Sequence, residues 1–348
     1  MLLWLVLLDM AASAAKISPA EAAQFRAQGV VVKPNFFSAE EAAAMRFTVQ
    51  RFLTDGLTAD IQRDNFQNLQ MAWLSAHSRL FACLPWEPRV SSAAVALLAR
   101  DGDSSAASST NVEVHYDQLF YKPARTGAGT AWHTDNGYFR IADPLRGVGM
   151  WVALDDAYVT NGTLELLPWQ PGQAELSHRE NDPDKAGGIT CADEVGGTQG
   201  QPCELAAGGV VFFCYGVPHC TRANTTDKPR CVLATPRQRA ALCVCARARA
   251  RASWVLALLI HSCDCSHRCA VAYHFLDPGH IDHTEATSPK GGRWARGHRW
   301  IGGPYCTHGV REHSEEMGAG VWAEEVAAAL YAGELDSGVN VKNARAAL

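Results

Sequence analysis

The chain has 348 residues, of which 47% are hydrophobic, so it can bury one large core and fits a single elaborated domain better than two independent ones. A formal net charge of −5, with no basic stripe in residues 17–231, argues against nucleic acid as the main partner and favours a small-molecule substrate. Residues 2–8 are apolar but too short to span a bilayer, and no basic residues precede them. We therefore predict a cytoplasmic protein without a membrane span.

The N-terminal third predicts helices that support a sheet. Helix starts are marked by a Ser or Thr followed three residues later by Glu, and helix ends by glycine. Two helices are predicted in this way: one is capped by Ser18 and Glu21, with Pro19 at its first position and Gly29 at its end, and one starts at Ser38 and Glu41. A third helix is marked by the apolar residues Val95, Leu97 and Leu98 and ends near Asp101-Gly102.

Two His-x-Asp pairs follow, and each could present both side chains on one face of a strand, because successive side chains of a strand alternate. The first pair is His115 and Asp117, and the second is His133 and Asp135. Two imidazoles and one carboxylate form the set that holds ferrous iron while leaving coordination positions open, so either pair could supply two of three ligands. Strand alternation alone does not distinguish the two pairs.

Short apolar strands separated by Gly, Pro and Asn turns continue from the second pair. Residues 148–154 predict a strand, Asn161-Gly162 a tight turn and residues 163–168 the return strand. Residues 208–213 predict a further strand that leads directly to His219. This alternation of short strands and turns is typical of a double-sheet jelly roll.

These residues resemble the phytanoyl-CoA dioxygenase family of iron- and 2-oxoglutarate-dependent oxygenases. The resemblance covers most of residues 17–231 and resumes at about 269–277. It implies a mainly β fold with flanking helices, in which a helical N-terminal layer covers a double-stranded β-helix (jelly roll, cupin-like) core. It also implies that His133, Asp135 and His219 are the iron ligands. In the family-like order, only the second His-x-Asp pair is followed at suitable distances by the strand that contains Trp151 and by the Asn161-Gly162 turn, so His115 is expected to be a structural or substrate-side histidine.

By the same resemblance, Arg230 would hold the distal carboxylate of 2-oxoglutarate, because a guanidinium can donate two parallel hydrogen bonds to a carboxylate. Thr221 would add a hydroxyl to that carboxylate, and Gln118 and Trp151 lie where the family lines the co-substrate pocket. The sequence repeats Arg-Cys at Arg268, which leaves Arg268 as an alternative anchor if the chain threads differently.

The implied activity is hydroxylation of a small organic substrate by molecular oxygen, with Fe(II) as cofactor, 2-oxoglutarate as co-substrate and ascorbate as the expected reductant. Succinate and carbon dioxide would be released. Asp135 favours hydroxylation, since related halogenases replace this carboxylate by a small residue. The alternative is a catalytically silent jelly-roll protein that binds a metal or another ligand.

Residues 232–267 break the pattern, because they contain an Ala-Arg repeat that does not build a β-sandwich core. Our hypothesis is that this segment is a non-native insertion, such as a retained intron. The alternative is a metal knuckle formed by Cys243-x-Cys245 and Cys263-x-Cys265, although zinc sites usually space their cysteines by two to four residues. We predict an oxygenase domain at 17–277 that includes this insertion, and an extension at 278–348 with one closing helix.

Overall fold

The computed structural model describes residues 16–54, 61–63, 69–72, 74–99, 112–180, 188–195, 197–227, 267–276, 299–302 and 321–336. Its α-helices are α1 (Pro19–Gln28), α2 (Ala39–Thr54), α3 (Arg79–Cys83), α4 (Pro88–Leu98), α5 (Asn136–Phe139), α6 (Ala192–Val195) and α7 (Val321–Asp336). Its strands are β1 (Val30–Lys33), β2 (Ile61–Arg63), β3 (Leu69–Ala72), β4 (Val112–Pro123), β5 (Thr130–His133), β6 (Gly147–Ala153), β7 (Leu164–Leu166), β8 (Arg179–Glu180), β9 (Ile189–Thr190), β10 (Gln201–Cys203), β11 (Val210–Cys214), β12 (His219–Thr221), β13 (His267–Leu276) and β14 (Arg299–Gly302).

The described strands form a double-sheet jelly-roll core, as predicted. The larger sheet runs β1-β11-β6-β13-β4-β3-β2, with β14 also paired to β4, and the smaller sheet runs β10-β7-β12-β5. All of these pairs are antiparallel. Strand β13 lies between β6 and β4, so the stretch at about 269–277, where the family resemblance resumes after residues 232–267, contributes a central strand of the larger sheet.

The N-terminal helices begin and end where their capping residues predict. The Ser18 side chain accepts a hydrogen bond from the Glu21 amide while the Glu21 carboxylate accepts one from the Ser18 amide, and Gly29 takes the left-handed conformation at φ 72°. Ser38 and Glu41 make the same reciprocal bonds before α2. The third predicted helix ends at Leu98, earlier than the expected Asp101-Gly102, which lies outside the described residues.

The strand after the Asn161-Gly162 turn is not the hairpin partner of β6. Strand β6 belongs to the larger sheet, whereas β7 pairs with β10 and β12 in the smaller one. The connection crosses between the sheets, and isolated bridges Ala157–Leu205 and Asn161–Asn224 hold it in place. The turn signal was therefore correct, but local sequence does not specify which strand lies beside which.

The helices cover one face of the larger sheet. The Phe36 ring meets the Phe212 ring of β11 at 5.5 Å, and the Tyr273 hydroxyl of β13 donates to the Phe81 carbonyl over 2.9 Å. The predicted closing helix is α7, and its Trp322 indole donates to the Glu41 carboxylate of α2 over 2.6 Å. The helices that the structure describes include none with the length and apolar content needed to cross a membrane.

Candidate metal centre

The two sheets face each other around His133 and His219. These residues are direct Cα partners in the antiparallel ladder of β5 and β12, so their side chains leave the sheet side by side. Their ring centroids are 4.3 Å apart. Because the smaller sheet brings together segments far apart in the chain, it supplies the second imidazole that a single strand cannot.

Asp135 completes the cluster from a position that differs from the sequence-based expectation. Strand β5 ends at His133, and Asp135 has the helical angles φ −62° and ψ −31° just before α5. Strand alternation is therefore not what places it beside His133. One potential ligand atom from each of His133, Asp135 and His219 nevertheless lies within 4.8 Å of the other two.

Both imidazoles are oriented by main-chain carbonyls. His133 Nδ1 lies 2.8 Å from the Ala131 oxygen, and His219 Nδ1 lies 3.0 Å from the Val217 oxygen. A carbonyl oxygen only accepts, so a neutral ring must carry its proton on Nδ1 and keep a lone pair on Nε2. Burial lowers the pKa of His133 to about 4 and holds the pKa of His219 well below its usual range, which keeps both rings neutral near pH 7.

The Asp135 carboxylate is buried and poorly satisfied. Its Oδ1 lies 3.7 Å from His219 Nε2, while its Oδ2 has no hydrogen-bond donor among the described residues. Burial raises its pKa to about 7. A buried carboxylate beside two neutral imidazole lone pairs lacks a positive charge, and a divalent cation would supply one. The donor set therefore fits ferrous iron.

Residues expected to line the co-substrate pocket lie on the sheet face that looks toward this cluster. Gly149 of β6 shows which face this is, since a Cβ added there would lie 3.3 Å from Asp135 Oδ2. Trp151 is two residues further along β6 and so shares that face. It pairs with Ala272 of β13, which in turn pairs with Gln118 of β4, so Gln118 lies on the same face.

The structure describes only some of the residues predicted to bind the distal carboxylate of 2-oxoglutarate. Thr221 follows His219 on β12, and its hydroxyl is within 2.8 Å of the Thr130 hydroxyl. Arg230 lies outside the described residues. The alternative Arg268 is at a described backbone position on β13, opposite Lys122 of β4. Alternation along β13 puts position 268 on the same face as Ala272.

In the competing His-x-Asp pair, the Asp117 carboxylate already has other partners. Both carboxylate oxygens of Asp117 accept hydrogen bonds from Ser75, from its amide over 3.1 Å and its hydroxyl over 2.7 Å, on the side of the helical layer. The ladder of β4 with β13 is irregular between Tyr116 and Val114, so regular alternation is interrupted at His115.

Two polar residues beside the cluster were not identified from the sequence. His274 of β13 lies with Nδ1 3.5 Å from Asp135 Oδ2, and the fully buried Tyr215 packs its ring 5.8 Å from that of His274. The only indication of His274 in the sequence was that it is a single histidine within the apolar residues 270–276. It could not be interpreted without the register, which places His274 opposite Gly149.

A profile of the family described as Phytanoyl-CoA dioxygenase (PhyH) matches residues 25–232. The chain belongs to the phytanoyl-CoA dioxygenase family. This confirms the resemblance drawn from its motifs. As a member of the family, the protein is a 2-oxoglutarate-dependent dioxygenase.

Named relatives agree with this family membership. Ectoine dioxygenase from Stutzerimonas stutzeri (strain A1501) is 26% identical over 231 residues, which are 60% of this chain and 72% of the relative. The 2-aminoethylphosphonate dioxygenase of an uncultured bacterium (HF130_AEPn_1) is 32% identical over 104 residues, 30% of this chain and 37% of that one. The crystal structure of EctD from S. alaskensis with bound Fe shares the fold, with a TM-score of 0.51 and 19% identity over 84% of this chain and 87% of EctD.

Proposed function

We propose that this family member is an Fe(II)- and 2-oxoglutarate-dependent oxygenase that hydroxylates a small organic substrate, with His133, Asp135 and His219 as the iron ligands. The observation that carries the proposal is the convergence of two neutral imidazole nitrogens and one buried carboxylate within 4.8 Å. When bound, iron and 2-oxoglutarate supply the oxidising chemistry, in which oxygen is consumed and succinate and carbon dioxide are released.

The protein's part in this chemistry is to orient the ligands and exclude water. The Ala131 and Val217 carbonyls fix both imidazole rings before any metal arrives, so little reorganisation accompanies binding. The Phe213 ring lies 4.6 Å from the His219 ring and the Tyr138 ring 5.7 Å from the His133 ring. These aromatic rings would limit the access of water, and a drier site strengthens electrostatic interactions inside it.

An arginine at the end of the larger sheet would hold the distal carboxylate of 2-oxoglutarate. Among the described residues, the register supports Arg268 as a candidate for this role, because Arg268 is opposite Lys122 and the Lys122 ammonium donates to the Arg222 carbonyl over 2.9 Å. Position 268 is therefore near Thr221, the residue expected to share the carboxylate. Gln118 and Trp151 would line the same pocket.

A groove of about 480 Å³ lies next to the loop that carries Asp135, and its volume is suited to a small molecule such as the substrate. The groove adjoins the ligand loop, because Asn136 follows Asp135 directly and the His178 ring accepts a hydrogen bond from the Thr134 amide. Two relatives are named for ectoine and 2-aminoethylphosphonate, which supports a small polar substrate. The groove is lined by Asn136, Gly137, Arg140, Ile141, Ala142, Glu175, Leu176 and His178.

The test is an anaerobic titration of the purified protein with Fe(II) and then 2-oxoglutarate, followed by exposure to oxygen with ascorbate and a screen of small polar metabolites for succinate release. We expect both ligands to bind, and succinate release to rise with the true substrate. Binding without any 2-oxoglutarate consumption would instead support the silent binding protein. Failure to bind either ligand would contradict the proposed oxygenase.

The domain limits at 17–277 and 278–348 and the cytoplasmic location remain predictions from the sequence.

A further inference from the structure

The Asp135 carboxylate lies between two imidazoles that come from different sheets. Its Oδ1 faces His219 Nε2 of the smaller sheet at 3.7 Å, and its Oδ2 faces His274 Nδ1 of the larger sheet at 3.5 Å. Both the Asp135 and His274 side chains are more than nine-tenths buried. The two oxygens of one carboxylate are therefore divided between a proposed iron ligand and a histidine that has no assigned role.

The absence of a side chain at Gly149 leaves space for the contact between Asp135 and His274. His274 is directly opposite Gly149 in the ladder of β13 and β6, and a Cβ at Gly149 would lie 3.3 Å from Asp135 Oδ2. The missing side chain lets the carboxylate approach the larger sheet. The rings of Phe139 and Tyr215 lie 5.0 and 5.8 Å from the His274 ring, so the imidazole is held between aromatic neighbours.

We propose that His274 is a positioning residue for the iron site, in which its Nδ1–H donates to Asp135 Oδ2 and so turns Oδ1 toward the metal. This inference rests on the proposed function, because it requires that Asp135 bind iron. Carboxylates that bind metals are generally held by a hydrogen bond of their own, and Oδ2 has no donor within hydrogen-bond geometry among the described residues. At 3.5 Å the pair needs to approach by only about 0.5 Å to form an ordinary N–H···O bond.

A role for His274 as a further metal ligand fits the geometry less well. His274 is on the far side of the carboxylate from His219, and the set of described residues whose ligand atoms all lie within 4.8 Å comprises His133, Asp135 and His219. The donor and ligand roles make different demands on the side chain at position 274. A donor must present one N–H at the Nδ1 position, whereas a ligand must present an imidazole lone pair.

The experiment compares His274→Asn, His274→Gln and His274→Leu in the full chain. The Asn amide nitrogen occupies roughly the place of Nδ1, the Gln amide nitrogen roughly the place of Nε2, and Leu has no donor. Fe(II) affinity and the visible absorption of the anaerobic complex with 2-oxoglutarate are measured for each. We expect Leu and Gln to weaken Fe(II) binding by about 10–100-fold and to shift the absorption, and Asn to stay within a few-fold of the wild type.

Tyr273→Phe is the matched control. Tyr273 precedes His274 on the same strand but donates to the Phe81 carbonyl on the helical side, so its loss should lower the Tm and leave Fe(II) affinity and absorption unchanged. Fe(II) affinity unchanged from the wild type in all three His274 variants would overturn the positioning role. Equal losses in all three, including Asn, would overturn the donor role in favour of a ligand. A wild type that binds no Fe(II) is a separate result, since it refutes the proposed function itself.

Discussion

At the scale of single residues, the two His-x-Asp pairs make opposite predictions for metal binding. We expect His133→Ala and His219→Ala to weaken Fe(II) binding by more than the roughly 10–100-fold typical of residues that only orient a ligand, and His115→Ala to weaken it less than about tenfold. The reason is that the Asp117 partner of His115 is already bonded to Ser75. Anaerobic calorimetry with Fe(II) measures all three. A larger loss from His115→Ala than from His133→Ala would reassign the metal pair.

The two candidate arginines can be separated in the same way. Lysine keeps the charge but loses the planar pair of donors, so the variant of the true anchor should bind 2-oxoglutarate about 1–3 kcal/mol more weakly with Fe(II) affinity nearly unchanged. We expect this loss in Arg268→Lys and little change in Arg230→Lys, because position 268 shares the sheet face of Ala272. A loss confined to Arg230→Lys would show that the original sequence-based assignment is right.

Metal binding should depend on pH through Asp135. Burial raises the pKa of its carboxyl to about 7, whereas the pKa of His133 is lowered to about 4, so between these values Asp135 is protonated and His133 is neutral in the metal-free protein. A metal binds the ionised carboxylate and must displace that proton. Apparent affinity should therefore fall about tenfold for each pH unit below 7, with about one proton released per metal. Calorimetry in buffers of different ionisation enthalpy counts the proton, and affinity that is flat between about pH 5 and 7 would contradict the assignment.

At the scale of elements, strand β6 carries the site on one face and the core on the other. Gly149→Ala would place a methyl group 3.3 Å from Asp135 Oδ2 and 3.1 Å from the Phe213 ring, so we expect Fe(II) affinity to fall roughly tenfold. Val148→Ala is the control on the opposite face, where Val148 is fully buried in the core. It should cost roughly 1–3 kcal/mol of stability and leave Fe(II) affinity unchanged. If the two variants had the same effect on affinity, β6 would not be shaping the site.

The same elements explain what could be predicted from the sequence. Helix caps such as Ser18 with Glu21, and glycine-bounded apolar runs such as β11, are local signals, so their positions were predictable. The pairing of β6 and β7 with different sheets, and the contact of His274 with Asp135, depend on residues far apart in the chain. The shared strand predicted for His133 and Asp135 was wrong, because the chain leaves β5 at His133 and turns into α5.

At the scale of the whole molecule, the described chain on either side of the predicted insertion at 232–267 meets at one residue of β4. The Asn224 amide donates to the Lys122 carbonyl over 3.4 Å, and Arg268 is the ladder partner of Lys122. Residues 225–229 alone can span up to roughly 16 Å, which is ample for this separation. The larger sheet can therefore be completed without residues 230–267. The metal knuckle considered as an alternative for this segment lies outside the described residues.

The repeated Arg-Cys makes this directly testable. Removing residues 230–267 or residues 232–269 gives the same sequence, in which Pro229 is followed by one Arg-Cys and then Ala270. We expect this shortened protein to unfold cooperatively with a Tm at or above that of the full chain, since a shorter connection between β12 and β13 costs less entropy to close, and to bind Fe(II) and 2-oxoglutarate as tightly. Removal of 230–276 is the control, and it should abolish folding because β13 lies between β6 and β4. A shortened protein that aggregates or loses 2-oxoglutarate binding would instead show that the removed segment is part of the native enzyme and that one Arg-Cys cannot replace the two.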